Sequence, residues 1–97
     1  MRKFIKGQFE LDKNVEDLEE YEAKKINKIK EIVEWCNSFG VAIAMGTSED
    51  NTYLCEYKIV ARTKQMCNGL LKEMKDMLKA TFPYVKLIWQ GSGDCLY

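Results

Sequence analysis

Residues 3 to 11, Lys-Phe-Ile-Lys-Gly-Gln-Phe-Glu-Leu, alternate so that Ile5, Phe9 and Leu11 fall on one side and Lys6, Gln8 and Glu10 on the other. A period of two is the signature of a strand with one buried face. Gly7 within it marks a bulge or a close backbone approach. From Asn14 the period lengthens, with apolar residues at Val15, Leu18, Ile26, Ile29, Ile32, Val33 and Cys36. Such spacing predicts a long amphipathic helix capped by Asn14, with Asp17 at the capping-box distance. Gly40 suits the left-handed position past its end, with Phe39 and Val41 beside it. A helix of about 24 residues is roughly 36 Å long, so its acidic first half is expected to overhang a small sheet.

Val41–Met45 and Tyr53–Ala61 are rich in strand formers, and the turn residues Gly46–Asn51 between them predict a hairpin. In its second strand Tyr53, Cys55, Tyr57, Ile59 and Ala61 share the more apolar face, while Glu56, Lys58 and Arg62 point away. Thr63 is placed to cap a second helix, in which Cys67, Leu70, Leu71, Met74, Met77 and Leu78 recur at threes and fours. Pro83 ends it. Tyr84–Gln90 reads as a last strand with Val85, Leu87 and Trp89 inward, followed by a loose tail over 91–97.

The order strand, helix, strand, strand, helix, strand is that of the split βαβ or ferredoxin-like arrangement: α+β, a four-stranded antiparallel sheet with two helices on one face. No repeat or low-complexity tract divides the 97 residues, so a single domain is expected. The resemblance to that superfold is one of pattern, without a family motif. It therefore leaves function open, because the fold hosts carriers, RNA binders, sensors and hydrolases.

Composition narrows the classes. Fifteen basic and fifteen acidic residues cancel, which removes the global positive field of a general nucleic-acid coating protein. No apolar segment follows Met1–Gln8 and no run approaches the ~18 residues of a membrane span, so a cytoplasmic protein is expected. Cys36, Cys55, Cys67 and Cys95 lie far apart, with no C-x-x-C pair and no histidine in the chain. Reduced thiols are therefore expected, with neither metal nor cofactor. Without histidine, Ser-His and Cys-His nucleophiles are excluded, and a small acid-base enzyme on Asp, Glu, Lys or Tyr is the weakest alternative. Gly91-Ser-Gly93 opens no helix and makes a poor phosphate cradle. Ferredoxin-like metal carriers need paired cysteines after the first strand, where Asp12-Lys13-Asn14 stands. The acylphosphatase branch needs an early Arg and Asn, and only Arg2 is near.

Two surfaces remain. Asp12, Glu16, Asp17, Glu19, Glu20 and Glu22 form an acidic block spaced like the phosphates of a DNA strand, which points to a protein partner with a basic groove. The fullest form of this expectation is a phage or mobile-element inhibitor of a nuclease or CRISPR effector, acting as a DNA mimic. A solvated helix face containing a Glu20–Lys24 pair explains the same residues without a partner. Trp35, off the main apolar line, is a half-buried lid or an interface anchor. The second surface is the open sheet face, expected to carry Phe4, Lys6, Gln8, Leu54, Glu56, Lys58, Val60, Arg62, Lys86, Ile88 and Gln90. Lys6, Lys58, Arg62 and Lys86 there suit single-stranded nucleic acid, while the face or the hairpin edge equally suits a homodimer. RNA-recognition domains stack bases on aromatics of the first and third strands, but Tyr53 and Tyr57 fall in register with the core.

Overall fold

The computed structural model describes residues 2–13, 15–48 and 50–95. Its elements run β1 Arg2–Leu11, α1 Leu18–Ser38, β2 Ala42–Thr47, β3 Leu54–Ala61, α2 Lys64–Thr81 and β4 Val85–Cys95. The four strands form one antiparallel sheet in the order β2-β3-β1-β4, and both helices cover one face of it, as the pattern predicts. The alternation in β1 is realised directly: Ile5, Gly7, Phe9 and Leu11 are buried against the helices and Lys6 is exposed on the other face. Cys55, Tyr57, Ile59 and Ala61 of β3 join them, together with Cys67, Leu70, Met74 and Leu78 of α2. Tyr53, Ile29 and Leu87 are partly buried and pack on this core.

Caps and turns follow the local chemistry. Thr63 accepts a hydrogen bond from the Met66 amide at 3.1 Å and starts α2. Gly40 carries φ +71° after α1, the left-handed turn that glycine takes at least expense. α1 begins later than the sequence predicts. Asp17 is its N-cap, accepting from the Glu20 amide at 3.1 Å, and Asn14 lies outside the described residues.

The acidic first half of α1 does not overhang. Tyr21 and Lys25 are buried within it: Tyr21 packs edge-on to Phe82, with ring centroids 5.6 Å apart, and lies 5.5 Å from Tyr53. Leu18 and Ile26, expected in the core, are instead 51% and 59% exposed. Lys25 is enclosed because all three of its ammonium hydrogens find acceptors, the Thr52 carbonyl (2.7 Å), Thr52 Oγ1 (2.9 Å) and Glu22 (3.2 Å).

The last strand departs furthest from expectation. Phe9 pairs with Leu87 but Gln8 pairs with Trp89, so Ile88 is an extra residue, a β-bulge. A one-residue slip exchanges the two faces of a strand. Val85 and Leu87 point inward as expected, whereas Trp89 shares the open face with Gln8, and Gln90 moves to the helix side. The segment expected as a tail continues the strand: Gly91 pairs with Lys6, Gly93 with Phe4 and Cys95 with Arg2, and Lys3 bonds Asp94 across the pair. Leu96 and Tyr97 lie outside the described residues. No described helix is long and apolar enough to cross a membrane.

Candidate binding surfaces

The open sheet face is built by register. Even-numbered residues of β1 and β3 point away from the helices, so Phe4 meets Val60, Lys6 meets Lys58 and Gln8 meets Glu56 across the central pair of strands. β2 adds Ala42, Ala44 and Gly46, and β4 adds Trp89, Gly91 and Gly93 beyond the bulge. Small residues on both outer strands leave a shallow trough of about 420 Å³, walled by Trp89, Lys6, Lys58 and Glu56. Phe4 lies flat enough over the sheet that a methyl on Gly93 would come within 3.1 Å of its ring.

Charge is segregated here. Within the strands Arg2, Lys6, Lys58 and Lys86 stand against Glu10 and Glu56, four positive groups to two negative on a chain whose total is zero. Both acids are engaged. Glu56 accepts from Gln8 at 2.8 Å, and Glu10 holds Lys13 at 3.1 Å and the Tyr84 hydroxyl at 3.3 Å. Lys6 and Lys58 sit directly opposite each other with no acid between them, an arrangement that destabilises a sheet. Both ammonium groups lie over the Phe4 ring, at 5.8 and 5.2 Å from its centroid, where the π-face offsets part of the repulsion. Arg62 and Lys86 lie at opposite ends of this face.

The strand register carries Lys6, Lys58 and Lys86 on the open face, with Arg62 one step past the end of β3, and Trp89, expected inward, is 45% exposed on that face. The Gly91-Ser-Gly93 segment is part of this strand: β4 pairs with β1 from Arg2 to Leu11, and the bulge between Gln8 and Phe9 sets the face of every residue beyond it. Tyr57 is in the core and Tyr53 is partly buried against it, on the side the register argument expects.

The acidic block is partly absorbed by the fold. Asp12 accepts a hydrogen bond from the Tyr84 amide at 2.7 Å and so fastens the entry to β4. Asp17 caps α1, Glu20 pairs with Lys24 at 3.2 Å and Glu22 with Lys25 at 3.2 Å. Glu16 and Glu19 are the carboxylates of the block with neither an ion pair nor a hydrogen bond to another described residue. Asp12, Glu16, Asp17 and Glu20 border one cleft, yet no group of three Asp, Glu, Cys or His among the described residues is placed to hold a metal. Trp35 is half-buried, packs on the core and meets Phe39 edge-on at 5.2 Å, which is the lid arrangement.

Burial shapes the remaining titratable groups. Desolvation, reinforced by the Glu22 charge, pushes the Tyr21 hydroxyl far up, and desolvation raises the Tyr57 hydroxyl to about 12. The thiols of Cys36, Cys55 and Cys67 are free, buried and raised by desolvation, Cys55 to about 12. None of these is a poised nucleophile or base at neutral pH.

Comparison with known proteins adds the fold. No protein-family model matches the chain, and no curated protein matches it by sequence. Among solved structures it is similar to a structural-genomics protein, YJCS, with TM-score 0.71 and 12% identity over 98% of this chain and 99% of that one. It is also similar to a de novo designed protein with the ferredoxin fold, with TM-score 0.59 and 12% identity over 100% of this chain and 88% of the design. At that identity the likeness establishes a ferredoxin-like α+β fold.

Proposed function

We propose that this chain is a binding module without chemistry of its own, whose working surface is the open sheet face and whose partner is single-stranded nucleic acid. The observation that carries the reading is the opposed Lys6–Lys58 pair over Phe4, with Trp89 lining the trough beside it. Two like charges held face to face weaken the fold, and an anionic backbone laid between them reverses the sign of that term. Phe4 and Trp89 supply two aromatic platforms on strands β1 and β4, and base stacking on such platforms is worth about 1–3 kcal/mol per base. The bulge at Ile88 serves this surface, since without it Trp89 would face the helices. Fluorescence anisotropy with a labelled single-stranded oligonucleotide at low salt tests the proposal. Trp89→Ala, Lys6→Gln and Lys58→Gln should each weaken binding, and Glu16→Lys should not; parental affinity in all three sheet variants would remove the sheet as the site.

A second reading keeps a protein partner on α1, as an inhibitor or regulator of a nucleic-acid-handling protein. It is supported by Leu18 and Ile26, aliphatic side chains more than half exposed next to Glu19 and Glu22. Glu22 and Glu19, four and seven residues before Ile26, share its side of the helix. Reversal of Glu16 and Glu19 to lysine abolishes binding under this reading and leaves it intact under the first. A homodimer through the sheet would instead show as a doubled mass in light scattering that Trp89→Ala abolishes.

A further inference from the structure

Arg2 and Arg62 are the chain's two arginines, and both line one cavity of about 380 Å³ at the end of the sheet. Each stands one step beyond the Lys3–Ala61 pair, so the two residues face one another at the end of the β1–β3 ladder and both line the cavity. Phe39, Val41, Val60 and Met66 complete the wall, and no carboxylate of a described residue lines it. Phe39 is 55% and Met66 39% exposed. Neither arginine makes a salt bridge or side-chain hydrogen bond to another described residue, while Glu10, Glu20, Glu22, Glu31 and Asp94 are all paired with lysines.

The helix ends beside the cavity do not account for the arginines. The last turn of α1 is closed by its own backbone, with the Phe39 and Val41 amides on the Cys36 carbonyl and the Gly40 amide on the Asn37 carbonyl. The first turn of α2, which contributes Met66, has no acidic residue, so its positive end adds to the field of the guanidiniums.

We infer that this cavity is a binding site for a small aryl phosphate monoester, its dianion held between Arg2 and Arg62 and its ring against Phe39 and Met66. The planar guanidinium fork matches phosphate oxygens bidentately, and two forks match a charge of two. The volume lies within the ordinary range of small-ligand sites, about 300–1,000 Å³. Lys6, Lys58 and Trp89 take no part, so the inference stands independently of nucleic-acid binding on the sheet.

The test is an amide-resolved NMR titration of the full chain with phenyl phosphate, inorganic phosphate and benzoate. Phenyl phosphate should move the Arg2, Gly40, Arg62 and Met66 amides saturably and bind at least about tenfold tighter than either comparison ligand. Arg2→Gln and Arg62→Gln should each weaken it by about tenfold or more, and so should Arg62→Lys, which keeps the charge but loses the fork. Phe39→Ala should erase the preference over inorganic phosphate, and Lys72→Gln, on the exposed side of α2, should leave the affinity for phenyl phosphate unchanged. Circular dichroism confirms the fold of each variant. The inference is overturned by equal binding of inorganic phosphate or benzoate, by parental affinity in folded arginine variants, or by no saturation below about 10 mM.

Discussion

Replacing Gly7 with alanine adds one methyl to a position that is already closed. Gly7 is buried opposite Tyr57 in β3 and Gln90 in β4, next to the bulge. Its new Cβ would run into the Trp89 carbonyl oxygen and lie 2.7 Å from the Tyr57 hydroxyl and 3.0 Å from Cζ of that ring. Two terms favour the substitution: about 0.8 kcal/mol for a buried methyl and about 0.4–1 kcal/mol from a stiffer unfolded chain. Against them, the carbonyl belongs to backbone that is bonded into the sheet, and the Tyr57 ring is held by stacking on Phe9 at 5.0 Å. Overpacking of this kind costs about 1–3 kcal/mol, and a strained ladder hydrogen bond about 1 more. The balance is a net loss of about 1–2 kcal/mol, or about 4–8 °C in Tm per kcal/mol for a domain of this size. Urea denaturation of Gly7→Ala, Tyr57→Phe and the double variant measures it. The Tyr57 hydroxyl is buried without a hydrogen-bond partner among the described residues, so Tyr57→Phe should gain about 1 kcal/mol. It should also lower the penalty at Gly7 by at least about 0.5 kcal/mol in the double variant, because the two groups touch. A neutral or stabilising Gly7→Ala would refute the packing argument, and with it the claim that β4 is locked in the bulged register that turns Trp89 outward.

Three further outcomes follow from the same contacts. Cys36, Cys55 and Cys67 should resist a thiol reagent at pH 8 in the native state and react on unfolding. Because the Cys55 pKa rises from an ordinary 9.0 to about 12 in the folded chain, the stability its burial confers is intact below pH 9 and is lost as pH climbs towards 12, measurable by urea midpoints across that window. Asp17→Ala should cost about 1 kcal/mol through the lost helix cap, while Glu16→Lys and Glu19→Lys stay within about 0.5 kcal/mol by denaturation; equal effects would erase the distinction between engaged and free carboxylates. Lys25→Met should cost about 1–3 kcal/mol because it removes both hydrogen bonds to Thr52 and leaves its carbonyl only the long one from the Tyr21 hydroxyl at 3.4 Å, with the remaining Glu22 charge solvated; a stabilised variant would mean the buried ammonium is a burden on the fold.

The order of elements was legible because each one declares its period locally: Ile5, Phe9 and Leu11 by twos, Cys67 to Leu78 by threes and fours. What escaped was whatever depends on a partner segment. The bulge at Ile88 exists only in the pairing with Gln8 and Phe9, so Trp89 reads inward when β4 is read alone. The glycines at 91 and 93 look like a tail for the same reason, although Phe4 needs the room that Gly93 leaves. Lys25 occupies a core position of α1, and no hydropathy pattern places a lysine there without knowledge of the Thr52 acceptors. Likewise Asp12 looks free in the sequence and is found holding the Tyr84 amide, while Asp17, expected one turn inside the helix start, is itself the cap. The cations of the open face were readable from β1 and β3, because their alternation is regular.

The most direct measurement is an amide- and indole-resolved NMR titration with a short single-stranded oligonucleotide, repeated across a range of salt. The account predicts shifts confined to Phe4, Lys6, Lys58 and the Trp89 indole, with an affinity that falls with salt by a slope of roughly 0.7 per phosphate neutralised. Shifts centred on Glu16, Glu19 and Ile26, or none at an oligonucleotide excess of about 1 mM, would contradict it.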